Sequence, residues 1–411
     1  MNSIKSTNNK NCSIAFTGDI GFDRYMDKRW EDPALLSGDI IEFLTSADHV
    51  VANVEGALIE AKDDGSRGVF FHSMNPAAVC VLEQIKADIW NISNNHIMDA
   101  GLEGLVSSKE IALANGCDTI GAGVDENDAS KPVYIDAAGG IGMFGVAYMT
   151  ECIPASKTDP GVFRWDDLEL IKSRIDEIKS KCRWCIVVAH GGEEFADLPN
   201  PYTRDRYIKY LDMGADVVVA HHPHVTENYE SFEDGKMIFY SLGNFIFDTD
   251  YQRAHPYTDL GVLIKFNFTE TSLSFDSIGI RIDRTSESVI KTDLPAIFTD
   301  INDEYYNKLS SFGSYMFMIE ECKKMIYLEP ERFSNASQDT WDKYYYSVEP
   351  DGYDKGAHMD LEIIVPHAHK AKLGEWREVY SNPLLKPVID YMMVHEEFKG
   401  ENNLGGFSLK L

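Results

Sequence analysis

The 411-residue chain is acidic, with 67 Asp and Glu against 38 Lys and Arg and a formal net charge of −29. This charge disfavours nucleic acid and anionic membranes as partners. We see neither an apolar signal segment near the N-terminus nor a run of the roughly 18–20 apolar residues that a membrane span needs. The seven cysteines are scattered and odd in number, so we expect a reduced, cytoplasmic protein.

Short apolar runs that end in polar clusters recur along the first 250 residues. Strands are predicted at 13–17, 49–54, 87–93, 185–189, 217–220 and 237–240, and helices at 76–87, 102–115, 165–180 and 204–213. A hairpin is predicted over 132–148 and a second one, with one exposed face, over 261–283. This alternation is typical of an α/β sheet, in which sites form beyond the carboxyl ends of the strands.

The composition changes after Pro295, which marks a boundary. We predict an α/β domain over residues 12–295. Helices are predicted at 303–328 and 384–398, with an acidic, Tyr-rich segment between them. Residues 300–411 are therefore expected to form a mostly helical elaboration packed on the core.

Three histidines follow the strand at 217–220 directly. His222 and His224 flank Pro223, and proline pushes the residue before it toward an extended conformation. Residues i and i+2 of an extended segment point the same way, so these two imidazoles are expected to converge as metal ligands do. The alternative is a surface loop that happens to be rich in histidine.

Polar clusters with similar chemistry follow other strands. In chain order they are Gly18-Asp19, Asn53-Val54-Glu55-Gly56, Asn94-Asn95-His96 with Asp99, His190-Gly191-Gly192-Glu193-Glu194, and later Glu230 and Ser241-Leu242-Gly243-Asn244. Carboxylates, amides and imidazoles after several strands predict a two-metal hydrolase site, with Zn, Mn or Fe favoured over Ca. The alternatives are that Asp19 and Asn95 cap helices, that Glu55 pairs with a surface lysine, and that Glu194 and Glu230 are solvated.

His96 is the candidate general acid. It directly follows Asn95, and Asp99 lies three residues further on, where it can hold the tautomer of the imidazole. The isolated histidines, including His72 and His255, are interpreted as structural or solvated.

The order of these motifs resembles the CapA family of bacterial capsule (poly-gamma-glutamate) biosynthesis proteins, which is similar to the calcineurin-like metallophosphoesterases. The resemblance covers about residues 12–250. It implies a layered α/β/β/α sandwich and a metal-dependent hydrolase that holds one or two divalent transition metal ions (Mn, Fe or Zn) and acts on a phosphoester or a related acyl bond. The ligands that it implies are Asp19, Glu55 as the bridging carboxylate, Asn95, His190, His222 and His224.

The chain departs from the expected pattern at two glycines. Calcineurin-like enzymes carry Asp-x-His on the first strand, whereas this chain has Asp19-Ile20-Gly21, which implies one tight and one weak ion. CapA relatives commonly have Trp where this chain has Gly191, so we expect a more open pocket wall there.

The substrate is expected to be a small molecule or an acidic polymer. Candidate substrate-binding residues are Arg24, Glu194, Glu230 and Asn244, although Ser241 and Asn244 also suit a tight turn below the site. The alternative functions are a non-catalytic accessory role in the synthesis or export of capsule polymer, and a binding module without turnover. The sequence does not predict the oligomeric state.

Overall fold

The computed structural model describes residues 10–60, 71–148, 152–192, 194–195, 199, 201–300, 403–404 and 407–408. The strands are β1 Asn11–Ile20, β2 His49–Val54, β3 Ala57–Leu58, β4 Ser73–Met74, β5 Ile89–Asn91, β6 Asp118–Ile120, β7 Ala122–Gly123, β8 Val133–Ile135, β9 Ile141–Ala147, β10 Gly161–Val162, β11 Trp184–His190, β12 Val217–His221, β13 Tyr229–Ser231, β14 Met237–Phe239, β15 Asn244–Ile246, β16 Leu260–Thr269, β17 Leu273–Asp283, β18 Ser288–Thr292, β19 Asn403–Leu404 and β20 Phe407–Ser408. The helices are α1 Gly38–Thr45, α2 Val79–Gln84, α3 Gly101–Ala114, α4 Glu126–Ala129, α5 Leu168–Lys179, α6 Pro201–Met213 and α7 Asp250–Ala254, with 3-10 turns at Arg24–Met26, Arg29–Glu31 and Pro76–Ala78.

Two mixed sheets carry the site. The first has the order β18-β17-β16-β1-β2-β5-β6, and β15 pairs in parallel with the end of β1. The second has the order β13-β14-β12-β11-β9-β8. Strands β1, β2, β5 and β6 run parallel in the first sheet, as do β9, β11, β12 and β14 in the second. Their carboxyl ends therefore supply two rows of side chains at one edge of each sheet.

Three apolar clusters separate the layers. One joins β1 to β11 across the two sheets through residues such as Phe16 and Ile186. A second packs α1, α2 and α3 on the outer face of the first sheet, and a third packs α5 and α6 on the outer face of the second. Each fully buried large apolar side chain contributes about 1.5–3 kcal/mol. The structure confirms the layered α/β/β/α sandwich that the resemblance implies.

The predicted strands and both hairpins are present, and β1 is longer than the predicted 13–17. The predicted helix at 76–87 is wrong in its details, since a 3-10 turn over Pro76–Ala78 precedes the six-residue α2. Asn75 caps this turn by accepting a hydrogen bond from the backbone N of Ala77 at 2.9 Å. Lys86 has φ +57°, a left-handed conformation that stops the helix early.

The predicted helices at 303–328 and 384–398 and the acidic segment between them lie outside the described residues. The division into residues 12–295 and 300–411 therefore stays a prediction. Within the described ranges, the structure has no helix that is both long and apolar enough to cross a membrane.

Candidate metal centre

The carboxyl ends of the central strands bring the predicted ligands together. Asp19 lies near the end of β1 and Glu55 directly follows β2, while His190 ends β11. The loop after β12 carries His222 and His224. All five side chains are buried, which is the placement that the sequence predicts for a site beyond the strand ends.

The distances define a compact cluster between the two sheets. His224 Nδ1 lies 3.3 Å from Asp19 Oδ2, and His224 Nε2 lies 3.6 Å from Glu55 Oε1. His190 Nε2 lies 3.8 Å from Glu55 Oε1 and 3.0 Å from Asn95 Oδ1. Asp19, Glu55 and His224 each offer one ligand atom within 4.8 Å of the other two.

His222 adjoins this group through ring contacts. Its ring centroid lies 5.0 Å from that of His190 and 6.1 Å from that of His224. We call Asp19, Glu55, Asn95, His190, His222 and His224 the ligand cluster.

The donor atoms of the cluster fit a divalent transition metal. Asp19 Oδ2, both carboxylate oxygens of Glu55 and Nδ1 of His190 are buried without a hydrogen-bond partner in the described part of the chain. Buried polar atoms are nearly always hydrogen-bonded, and an unsatisfied one costs about 1–3 kcal/mol or more. Carboxylate and imidazole donors are the ligands that Mn, Fe and Zn bind, so a bound cation would compensate this cost.

The charges of the cluster are coupled. Burial raises the pKa of Glu55 to about 8. Burial would lower the pKa of His224, but the carboxylates of Glu55 and Asp19 outweigh it and raise the pKa to about 10. Burial would likewise raise the pKa of Asp19, but His221 and His224 hold it below its usual value. The imidazolium of His224 thus pairs with the carboxylate of Asp19, while burial keeps the carboxyl of Glu55 largely protonated at neutral pH. A metal ion would displace both protons.

The backbone that presents the histidines differs from the prediction. The prediction of an extended segment at 222–224 is wrong, because His222 has φ +100° and His224 has φ +57°. The chain turns sharply at the end of β12, and such left-handed residues cost on the order of 1–3 kcal/mol each. Asn244 offsets part of this cost, since its side-chain amide donates to the backbone O of His224 at 3.1 Å and its Oδ1 lies 2.9 Å from His224 Nδ1.

His96 and Asp99 form a pair beside the cluster. His96 Nδ1 lies 2.8 Å from Asp99 Oδ2, so the predicted contact is present. Asn94 fixes the turn, because its Oδ1 accepts hydrogen bonds from the backbone N of His96 at 3.1 Å and of Gly56 at 3.2 Å. The three consecutive residues therefore have different roles. Asn94 holds the turn, Asn95 contacts the ligand cluster, and His96 is the candidate general acid.

The candidate substrate residues have different surroundings. Arg24 is half exposed and pairs with Asp23 at 2.9 Å. Glu194 lies close enough for its charge to act on Glu55 and His224. The amide of Asn244 also donates to the backbone O of Thr258 at 2.9 Å and to Gln252 Oε1 at 3.2 Å, which agrees with the turn-shaping alternative.

Glu230 is held by other protein groups. Arg204 donates from Nε at 2.9 Å and from Nη2 at 2.6 Å, and the hydroxyl of Tyr240 donates at 2.6 Å. The alternative that Glu230 is a solvated surface charge is wrong, because its side chain is 1% exposed. Its carboxylate links α6, β13 and the end of β14.

The wall at Gly191 is closed rather than open. A Cβ on Gly191 would lie 2.7 Å from Cβ of Tyr148 and 3.1 Å from the ring of Trp165. Trp165 is fully buried, so an aromatic ring from another segment occupies the space beside this glycine. The expectation of a more open pocket wall is wrong for that reason.

Three residues near the ligand cluster were not among the candidate site residues. His221 Nδ1 lies 3.5 Å from Asp19 Oδ1; its place in a row of three histidines was the available signal. Asn53 donates to Asp19 Oδ1 at 2.7 Å, and the parallel register that sets Asp19 opposite Asn53 arises only once the strands are paired. His72, interpreted as structural or solvated, is fully buried with its ring centroid 5.6 Å from that of His96.

Comparisons with known proteins follow the same stretch of chain. The family model described as bacterial capsule synthesis protein PGA_cap matches residues 13–249. The PGA biosynthesis protein CapA of Bacillus subtilis is 29% identical over 299 residues, which are 71% of this chain and 77% of that protein. The capsule biosynthesis protein CapA of Bacillus anthracis is 27% identical over 263 residues, 61% of this chain and 63% of that one. A probable polyglutamine synthesis accessory protein of Mycobacterium tuberculosis is 24% identical over 219 residues, 50% of this chain and 57% of that one. The match thus spans less than two thirds of the last two relatives.

Proposed function

Because the chain belongs to the bacterial capsule synthesis protein family, we propose that it is a metal-dependent hydrolase that acts on a phosphoester or a related acyl bond. One observation carries this proposal. A buried group of carboxylate and imidazole atoms without hydrogen-bond partners in the described residues lies beside the His96–Asp99 pair. A site that only stabilised the fold would have its buried polar atoms satisfied.

The ligand cluster provides two sets of donors around Glu55. Asp19, Glu55 and His224 would hold one divalent ion, and Glu55 with Asn95, His190 and His222 would hold a second. Mn, Fe or Zn bound there would supply an activated water and polarise the scissile bond. Asn53 contributes by holding Asp19 Oδ1 at 2.7 Å, which leaves Oδ2 as the donor.

His96 would deliver the proton to the leaving group. Asp99 contacts Nδ1 of the imidazole at 2.8 Å, so Nε2 is the atom that faces a substrate. Its side chain retains slight exposure at the edge of the buried cluster, where a leaving group departs toward solvent. A positioned general acid of this kind typically contributes ~10²–10⁴-fold to the rate.

The charge of the protein favours a small substrate or the end of a chain over a long polyanion lying on the surface. At a net charge of −29, an extended acidic polymer would be repelled along most of its length. Arg24 is the exposed cation nearest in sequence to Asp19, and it suits the recognition of a single phosphate or carboxylate group.

A non-catalytic accessory role in capsule polymer synthesis or export is the second candidate. It is supported by the names of the relatives, which describe a biosynthesis protein and an accessory protein rather than a hydrolase. In that role the cluster would bind metal without turnover.

Elemental analysis combined with a panel of phosphoesters and γ-glutamyl amides tests both candidates. We expect at least one transition metal ion per chain and hydrolysis after reconstitution with Mn, Fe or Zn. Metal binding without turnover of any substrate class would support the accessory role. Absence of metal after reconstitution would contradict the hydrolase.

A further inference from the structure

Asp99 orients His96, and a second hydrogen bond holds Asp99 in turn. The side chain of an aspartate can adopt several staggered rotamers, so one contact alone does not fix it. Asp99 Oδ2 lies 2.8 Å from His96 Nδ1, and the same oxygen accepts a hydrogen bond from the backbone N of His72 at 2.9 Å. The donor from His72 thus favours the orientation of the carboxylate that contacts the imidazole of His96.

The backbone N that makes this bond comes from a distant segment. His96 and Asp99 belong to one turn, in which the N of Asp99 donates to the O of His96 at 3.0 Å, whereas His72 precedes β4. Any residue except proline would offer a backbone N–H at position 72. The position of that N–H therefore depends on how the His72 side chain is held.

Two glycines enclose the imidazole of His72. A Cβ on Gly21 would lie 2.6 Å from Nε2 of His72, and a Cβ on Gly56 would lie 2.4 Å from Cδ2. Real Cβ atoms do not approach other atoms so closely, so the ring occupies space that only glycine leaves at both positions. The side chain is fully buried, and its orientation is therefore defined by packing.

A carboxylate and a neighbouring ring also contact His72. Nδ1 of His72 lies 3.3 Å from Asp23 Oδ2, while Asp23 Oδ1 accepts a hydrogen bond from the backbone N of Arg24 at 2.7 Å. The ring centroid of His72 lies 5.6 Å from that of His96 at an interplanar angle of 67°, which is within the range of aromatic pair contacts. His72 thus adjoins both members of the His96–Asp99 pair, one through its ring and the other through its backbone N.

We propose that His72 is a positioning residue for the general acid. Its enclosed ring fixes the N–H that holds Asp99, and Asp99 keeps a proton on Nδ1 of His96 and directs Nε2 toward the substrate. The inference rests on the proposed function, in which His96 delivers a proton to the leaving group. It gives His72 a role that needs no contact with metal or substrate, so loss of His72 should weaken catalysis without removing the acid.

Nuclear magnetic resonance of the protein with ¹⁵N in its histidine rings, in the presence of Zn²⁺, tests the inference without any measurement of activity. Because the Asp99 carboxylate can only accept, we expect Nδ1 of His96 to carry a proton in the wild type. In a His72→Ala variant this proton should exchange faster with solvent, and the ¹⁵N shifts of the His96 ring should change. A purely structural role of His72 would lower stability but leave these signals in place. A His96→Gln variant identifies the His96 signals.

Kinetics of the His72→Ala variant connect this orientation to turnover. For an alkyl phosphoester, whose leaving group needs a proton, turnover should fall by up to ~10²-fold, as it does when a catalytic group is misplaced by about 1 Å. Turnover of nitrophenyl esters and metal content should stay close to those of the wild type. The leaving-group dependence thus separates a misplaced acid from a damaged metal centre.

His49→Ala is the matched control. His49 Nδ1 also lies against a carboxylate, that of Asp88 at 2.6 Å, but at the start of β2, away from the strand ends that carry the ligand cluster. The signals of His96 and the turnover of both substrate types should match the wild type in this variant.

Asp23→Asn decides the question if His72→Ala does not fold. If Oδ1 of the amide keeps the hydrogen bond from the backbone N of Arg24, an NH₂ donor replaces the acceptor opposite Nδ1 of His72. Two donors then face each other, so the ring of His72 should shift. The His96 signals should change as in His72→Ala, but less.

Unchanged His96 signals in the folded His72→Ala variant, or in Asp23→Asn if His72→Ala does not fold, would overturn the inference and leave the proposed function intact. A wild type without a proton on Nδ1 of His96 would overturn it as well, and so would equal losses of turnover for both substrate types. A wild type that hydrolyses no substrate would contradict the proposed function, and the His96 signals would still decide whether His72 orients the His96–Asp99 pair.

Discussion

Glu55 and Glu230 are both buried glutamates beside strands of the sandwich, yet their carboxylates have opposite surroundings. Glu230 accepts two hydrogen bonds from Arg204 and one from Tyr240. Neither oxygen of Glu55 has a hydrogen-bond partner in the described part of the chain. The imidazoles of His224 and His190 lie 3.6 and 3.8 Å from Glu55 Oε1.

The difference separates a carboxylate that maintains the fold from one that is kept available for a ligand. Burying an ion is tolerated when its lone pairs are satisfied, as they are at Glu230. At Glu55 no hydrogen bond within the described residues offsets the desolvation, and burial therefore raises the pKa of the carboxyl. Three apolar clusters stabilise the surrounding layers. Such an exception in an otherwise consistent structure is expected at a functional site.

Replacing Glu55 by Gln should have the largest effect on function. Glu55 is the residue shared by the two proposed sets of metal donors, so we expect loss of bound metal and a fall in turnover exceeding the ~10²–10⁴-fold of a general acid. Above pH 8 the metal-free variant should be more stable than the metal-free wild type, because the wild type must then bury an ionised carboxylate. Elemental analysis and urea denaturation measure the two effects.

The stability of the metal-free wild type should also depend on pH through the protonation of Glu55. Burial raises the pKa of Glu55 from 4.5 to about 8, so between these values the folded state binds more protons than the unfolded state. Stability contributed by the protonated form is therefore present below pH 4.5 and is lost as pH rises to about 8. The Glu55→Gln variant should lack this part of the decline, and an unchanged decline would contradict the assigned surroundings of Glu55.

His96→Ala should have the next largest effect, and it shows whether groups beside the cluster act on substrate. We expect turnover to fall ~10²–10⁴-fold while metal content is retained. The loss should shrink for nitrophenyl esters, whose leaving groups need little protonation. Asp99→Asn should act in the same direction more mildly, by loosening the imidazole. Loss of metal from His96→Ala would instead make His96 a ligand.

Local patterns in the sequence predicted the strands and the polar residues at their ends, whereas the layered sandwich and the set of ligands were implied by the family resemblance. Apolar runs such as Val217–His221 identify buried strands, and polar residues directly after them are placed at the strand ends whatever the sheet order. The structure places one ligand atom each of Asp19, Glu55 and His224, three of the residues that the resemblance implied, within 4.8 Å of the others.

The remaining features depend on contacts between distant segments. The position of His72 depends on the space left by Gly21 and Gly56, which come from two other segments. The hydrogen bonding of the Glu230 carboxylate depends on Arg204, which α6 supplies. The left-handed backbone at His222 is opposed by local preferences, since the proline that follows favours an extended residue.

Glu230→Gln should have the smallest effect, confined to stability, and it completes the comparison because it is the same substitution as at Glu55. The amide keeps the shape of the side chain but removes the charge that binds Arg204 through two hydrogen bonds. Breaking a buried pair costs about 3–5 kcal/mol, and charged hydrogen bonds contribute about 1.5–3 kcal/mol. The side chain of Arg204 is 21% exposed, so solvent compensates part of the loss and we expect destabilisation of about 2–3 kcal/mol in urea denaturation.

Metal content and turnover of the Glu230→Gln variant should match the wild type, because the carboxylate of Glu230 is already used by the fold. If the variant lost metal or turnover while its stability was unchanged, Glu230 would belong to the site, and hydrogen-bond satisfaction would not distinguish the two glutamates.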